Sequence, residues 1–176
     1  MNYADIKQFD VANGPGVRIS LFVSGCTHHC KGCFNEEAWD FSYGTPFTEE
    51  TMQQILVYLE PSYISGLTIL GGEPMELENQ KAIMTLVQRV KEVYPEKSIW
   101  CYSGYDFEKD ILGVMCKTYP ETMKILQYLD VLVDGKFILE KKDLSLRFRG
   151  SSNQRIIKVP ESLRDHSVVL WEGMND

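Results

Sequence analysis

Three thiols stand within eight residues in the stretch GCTHHCKGCFN, at Cys26, Cys30 and Cys33. Their spacing, C-x3-C-x2-C, is short enough for one loop to wrap a metal, and no fourth cysteine lies nearby. Two chemistries fit. A structural zinc closes its tetrahedron with four protein ligands, and His28 or His29 would supply the fourth. An iron–sulfur cluster is held by thiolates, four in the closed case, so a cluster on three would leave one iron open to a substrate. Cys101 falls inside a predicted strand and Cys116 inside a predicted helix, and both read as core thiols. His28 and His29, between ligand positions on a loop, read as solvated. Five cysteines, an odd number with three crowded together, point to metal or catalysis rather than to a disulfide framework.

The thiols follow a short run of β-branched and aromatic residues, VRISLFV at 17–23, which reads as a buried strand ending at Ser24-Gly25. Three further strands end in unusual chemistry: LTIL at 67–70 runs into Gly71-Gly72-Glu73-Pro74, residues 98–102 into Ser103-Gly104, and VLV at 131–133 into Asp134-Gly135-Lys136. Helical patterns separate them. Thr48 is placed to cap a helix with Glu49 and Glu50 in its first turn, with Phe47 and Met52 as a hydrophobic staple. Asn79 is the candidate cap of a second helix, with Ile83, Leu86, Val87, Val90 and Tyr94 on one face and Pro95 as its stop. A helical region spans 106–129 with a break at Tyr119-Pro120, and 155–159 and 167–171 read as two more strands. Strands alternating with helices predict βα units and a parallel sheet. In such sheets ligands bind at the C-terminal strand edge, which gathers all four stretches into one site.

A chain of 176 residues with 44% hydrophobic and 24% charged residues predicts one globular domain spanning 1–176. No run of apolar residues is long enough to cross a membrane, and MNYADIKQFD does not resemble a targeting segment, so a cytoplasmic protein is expected. A formal charge of -7 argues against a general nucleic-acid binder.

The C-x3-C-x2-C loop after the first strand and GGEP after the second together resemble the radical S-adenosylmethionine superfamily. Asn13 to Arg18 (NGPGVR) is similar to the segment before the first strand in glycyl-radical-enzyme activases. VSGCTHHCKGCFN, VLVDGKF at 131–137 and FRGSSNQRII at 148–157 are similar to the branch that serves the anaerobic ribonucleoside-triphosphate reductase. An activase for another glycyl radical enzyme, such as pyruvate formate-lyase, is the nearest alternative. A zinc-stabilised binding protein without catalysis is the alternative from another class.

The resemblance implies an α/β fold, an incomplete parallel (βα) barrel, since a complete one runs to about 250 residues. It implies a 4Fe-4S cluster on Cys26, Cys30 and Cys33, with S-adenosylmethionine on the fourth iron. Reduced flavodoxin or ferredoxin would supply the electron that cleaves the cofactor, and the product radical would take a hydrogen atom from a glycine of the reductase. Gly71, Gly72, Glu73 and Pro74 match the motif that holds the methionine amino group, and Ser103, Asp134 and Lys136 stand where related activases bring polar groups to the cofactor. Two positions depart from the pattern. Gly32 precedes the last cluster cysteine, where an aromatic residue is common, and Asn13 stands where activases often carry Asp. Arg147, Arg149 and Arg155 flank a polar loop suited to cofactor or partner.

Overall fold

The residues of VRISLFV alternate in character, and the strand they form (β2, Val17–Val23) uses both faces. In the computed structural model, which describes residues 1–174, Ile19, Leu21 and Val23 join the helix-covered core, whereas Arg18 and Ser20 are buried on the other face. The same alternation recurs along β4 (Ile64–Gly71), β5 (Ser98–Tyr102), β6 (Val131–Asp134) and β7 (Arg155–Lys158). Leu67, Ile69, Ile99, Cys101, Leu132 and Ile157 face the helices; Trp100, Val131, Val133 and Ile156 form a second apolar cluster on the far side. Cys101 is therefore a core thiol.

One seven-stranded sheet runs in the order β3-β1-β2-β4-β5-β6-β7, with β1 (Asn2–Asp10) and the two-residue β3 (Thr45–Pro46) at one edge. The central four strands, β2, β4, β5 and β6, are parallel, so Val23, Gly71, Tyr102 and Asp134 end at one common edge. The expectation of a parallel sheet holds for those four only. β1 pairs antiparallel with β2, and β7 antiparallel with β6, because neither connection contains the crossover helix that parallel pairing requires. The fold is mixed α/β. Nothing in the polar run NYADIKQFD marks β1 in advance, and 167–171 is not a strand: it contributes a single bridge, Ile157 to Leu170.

The helices are α1 (Glu49–Leu59), α2 (Leu77–Val93), a π-helical stretch Phe107–Met115 continued by α3 (Cys116–Thr118), α4 (Pro120–Tyr128) and α5 (Val159–Asp165). Thr48 caps α1 as expected, its hydroxyl accepting from Thr51 N–H. Asn79 does not cap α2. The helix starts earlier, behind Glu76, and the Asn79 amide donates instead to the carbonyls of Ser24 and Glu73 at 3.0 Å each. Tyr94 ends the same helix rather than lying on its face, and donates to Leu56 O. None of the helices among the described residues is long and apolar enough to cross a membrane.

Candidate metal centre

The four strand ends surround a cavity of about 430 Å³, within the range of small-molecule sites. Cys26, Cys30 and Cys33 line it, with Gly71, Gly72, Glu73 and Ser103 on the opposite strand ends. All three cysteines are free thiols, and each sulfur meets a backbone N–H. Cys26 accepts from the amides of His28 and His29, Cys30 from Phe137, and Cys33 from Asn35 at 3.4 Å. Burial pushes the Cys26 thiol up to about 11 and raises Cys30 as well. A bound cation supplies the positive charge that lets such thiols ionise, and amide donors then stabilise the thiolates.

The arrangement does not suit a single zinc. A tetrahedral zinc with bonds of about 2.3 Å sets its sulfurs about 3.8 Å apart. Among the described residues, the one set of three candidate ligand atoms within 4.8 Å of one another is Asp106, Glu108 and Asp134, so at least one pair of the cysteine sulfurs lies farther apart than that. The three carboxylates do not form a vacant cation site either, since Arg155 reaches Glu108 at 2.6 Å, Asp106 at 3.8 Å and Asp134.

Two acids from the GGEPME stretch pin the thiol loop. Glu76 accepts from Thr27 N–H at 2.8 Å and from its hydroxyl at 2.6 Å. Glu73, 1% exposed, accepts four donors: Met75 N–H at 2.8 Å, Ser103 Oγ–H at 2.9 Å, Gly104 N–H at 2.6 Å and His28 Nε2–H at 2.9 Å. The expectation of a solvated His28 is therefore corrected: its side chain is 6% exposed and its ring meets Tyr105 edge-on at 4.3 Å. His29 is exposed but stacks on Trp39 at 4.5 Å. The backbone joins in, Gly72 N–H donating to Val23 O and Glu73 N–H to Gly25 O, both at 2.8 Å. Gly71 holds φ +110°, and a Cβ there would stand 2.7 Å from Val23 N and O. Gly32, at φ +72°, explains the missing aromatic residue, because that backbone strains an L side chain.

The remaining candidates separate. Gly71, Gly72, Glu73 and Ser103 reach the cavity, with Ser103 held by Glu73 and by Tyr105 N–H. Pro74 is buried and outside the lining. Asp134 is turned away: its carboxylate accepts from Phe107 N–H at 2.9 Å and from Arg155 Nε at 3.0 Å. Lys136 is exposed and outside the lining, though its charge favours ionised Cys30. The segment FRGSSNQR builds one wall. Gln154 Oε1 accepts from Gly150 and Ser151 N–H, Gln154 Nε2 donates to Gly135 O, and Arg149 and Phe148 line the cavity.

Residues 12–157 match the model of a 4Fe-4S single cluster domain. An anaerobic ribonucleoside-triphosphate reductase-activating protein of Vibrio cholerae is 44% identical over 158 residues, covering 89% of this chain and 97% of its own. The proteins of the same name from Haemophilus influenzae and Escherichia coli are 44% and 40% identical, covering 89% and 88% of this chain and 97% and 96% of their own. With that identity across most of both chains and the match to the cluster-domain model, the chain belongs to the family of anaerobic ribonucleoside-triphosphate reductase-activating proteins.

Proposed function

We propose that this chain is a radical S-adenosylmethionine activase that generates the glycyl radical of an anaerobic ribonucleoside-triphosphate reductase. The observation that carries the reading is the convergence on one cavity of three cysteine thiols, each with an amide donor, and the backbone of Gly71 and Gly72. Cys26, Cys30 and Cys33 would hold a 4Fe-4S cluster, and three thiolates in place of four would leave it able to bind S-adenosylmethionine. Such a cluster would supply the one-electron reduction by which S-adenosylmethionine is cleaved, the chemistry that hydrogen-atom abstraction from a reductase glycine requires.

The chain itself holds, orients and shields. Backbone polar groups at Gly71 and Gly72 take the ligand's amino group, with Glu73, Pro74 and Ser103 fixing that edge from beneath. Arg149, which lines the cavity, is better placed than Lys136 for the ligand's carboxylate. Asp134 supports the wall through Arg155 instead of touching the ligand. Tyr102 and Phe148 wall the cavity, and Tyr102 Oη–H donates to Phe148 O at 2.9 Å. The sheet is open between β3 and β7, which suits an incomplete βα barrel forming a single domain over 1–176. Phe34 and Leu144, 83% and 90% exposed, stand on the cavity's lining loops. An apolar rim of that kind suits a protein substrate docked over the mouth. A reduced flavodoxin or ferredoxin is the expected electron donor, and the cytoplasm the expected compartment.

The test mixes anaerobically reconstituted, reduced protein and S-adenosylmethionine with either the reductase or pyruvate formate-lyase. A glycyl radical signal in electron paramagnetic resonance is expected with the reductase. A signal with the lyase alone would reassign the partner, and iron-free, zinc-loaded protein would end the activase reading.

A further inference from the structure

We propose that His28 is a positioning residue: its Nε2–H, given to Glu73, fixes where the cluster loop stands relative to the Gly71-Gly72 edge that receives S-adenosylmethionine. The inference rests on the activase reading and assigns His28 no ligand role. Glu73 sits at the end of β4, and a carboxylate only accepts, so the proton in the 2.9 Å contact belongs to Nε2 of His28. The same carboxylate holds Ser103 and Gly104 at the end of β5. One side chain therefore ties three strand ends together, and His28 is the cluster loop's contribution. The fit around the ring is close: a Cβ on Gly104 would stand 2.5 Å from the imidazole, and Tyr105 meets its edge. Thr27, held by Glu76, gives the loop a second anchor one residue away.

Without the His28 bond, the Thr27 anchor on Glu76 and the stack of His29 on Trp39 would hold the stretch between Cys26 and Cys30, and Glu73 would keep a buried oxygen with one donor fewer. The three thiols and their amide donors are untouched, so a cluster still assembles. What loosens is the distance between that cluster and the Gly71-Gly72 backbone, on which chelation of the cofactor depends.

His28→Phe keeps a ring against Tyr105 and removes the donor; His28→Gln loses the ring and keeps an N–H at similar reach. Both are reconstituted anaerobically, assayed for iron and sulfide, reduced, and titrated with S-adenosylmethionine by electron paramagnetic resonance. The expected result is full iron and sulfide in both, a wild-type-like ligand-induced change in His28→Gln, and an affinity lowered about tenfold in His28→Phe, the loss typical of a buried hydrogen bond to a charged group. Wild-type affinity in His28→Phe would overturn the proposal, and so would loss of the cluster in both variants. A wild-type signal indifferent to S-adenosylmethionine would instead overturn the activase reading on which the proposal stands.

Discussion

Replacing Asp134 by asparagine separates support of the cavity wall from contact with the ligand. The Asp134 carboxylate is 1% exposed and accepts from Phe107 N–H and from two nitrogens of Arg155. Asparagine preserves the shape and one acceptor but turns an N–H toward the guanidinium. Arg155 keeps Glu108 at 2.6 Å and its side chain is 30% exposed, so the full penalty of breaking a buried pair does not apply. The lost charge-assisted bonds put the change at about 2–3 kcal/mol. For a domain of this size each kcal/mol moves the melting temperature by about 2–4 °C, which gives a fall of roughly 4–12 °C. Calorimetry on metal-free protein measures that fall, and a parallel titration of the reconstituted variant measures affinity for S-adenosylmethionine. The expected outcome is lower melting with affinity within about threefold of wild type. Unchanged melting with affinity lowered more than tenfold would refute the reasoning and return Asp134 to the ligand's first contacts.

Three other experiments test neighbouring parts of the structure. Gly71→Ala forces a side chain onto φ +110° with its Cβ 2.7 Å from the β2 backbone; about 1–3 kcal/mol of destabilisation and at least tenfold weaker S-adenosylmethionine binding are expected by calorimetry and titration. Iron and sulfide analysis of Cys26→Ser, Cys30→Ser and Cys33→Ser should show the cluster lost in each, while Cys101→Ser and Cys116→Ser keep it, because those two thiols are packed into the helix-side core. Burial pushes the Tyr105 phenol up to about 12. A raised phenol leaves the fold's contribution intact below the unfolded value near 10 and removes it as pH climbs through 12, so stability measured across that window should fall less steeply in Tyr105→Phe than in wild type.

The strands that end at the site were legible because each carries its own local signal. β2, β4, β5 and β6 are short, rich in β-branched or aromatic residues, and stopped by Ser-Gly, Gly-Gly, Ser-Gly and Asp-Gly. β1 was not, because its residues are mostly polar and it is held as an antiparallel strand beside β2. His28 was misread for a related reason. A histidine between two cysteines on a loop carries no sign of burial, and its partner Glu73 lies 45 residues away. Asn79 looks like a cap by residue type, yet α2 already begins at Leu77, and the Asn79 amide donates across the fold to the carbonyls of Ser24 and Glu73. In each case the missing information is long-range: which polar group the fold brings within reach of a buried acceptor.

Arg18 shows the same limit and also why the sheet face opposite the helices differs from an ordinary core. Its guanidinium is fully buried, faces Trp100 at 5.6 Å, and donates to Thr68 Oγ1, Leu67 O, Ser98 O and Ser98 Oγ. None of these partners is a carboxylate, and burial brings its pKa down to about 10. Isolated, such a charge is expensive; surrounded by oxygens on β4 and β5, it cross-links three parallel strands near their N-terminal ends. At the other end Glu73 does the converse, an anionic side chain surrounded by donors from the β2 loop, β4 and β5. The same three strands are therefore tied below by a buried cation and above by a buried carboxylate, with the cavity opening beyond the second tie. On the activase reading, these two polar ties would hold the spacing between the Cys26–Cys33 loop and the Gly71-Gly72 edge.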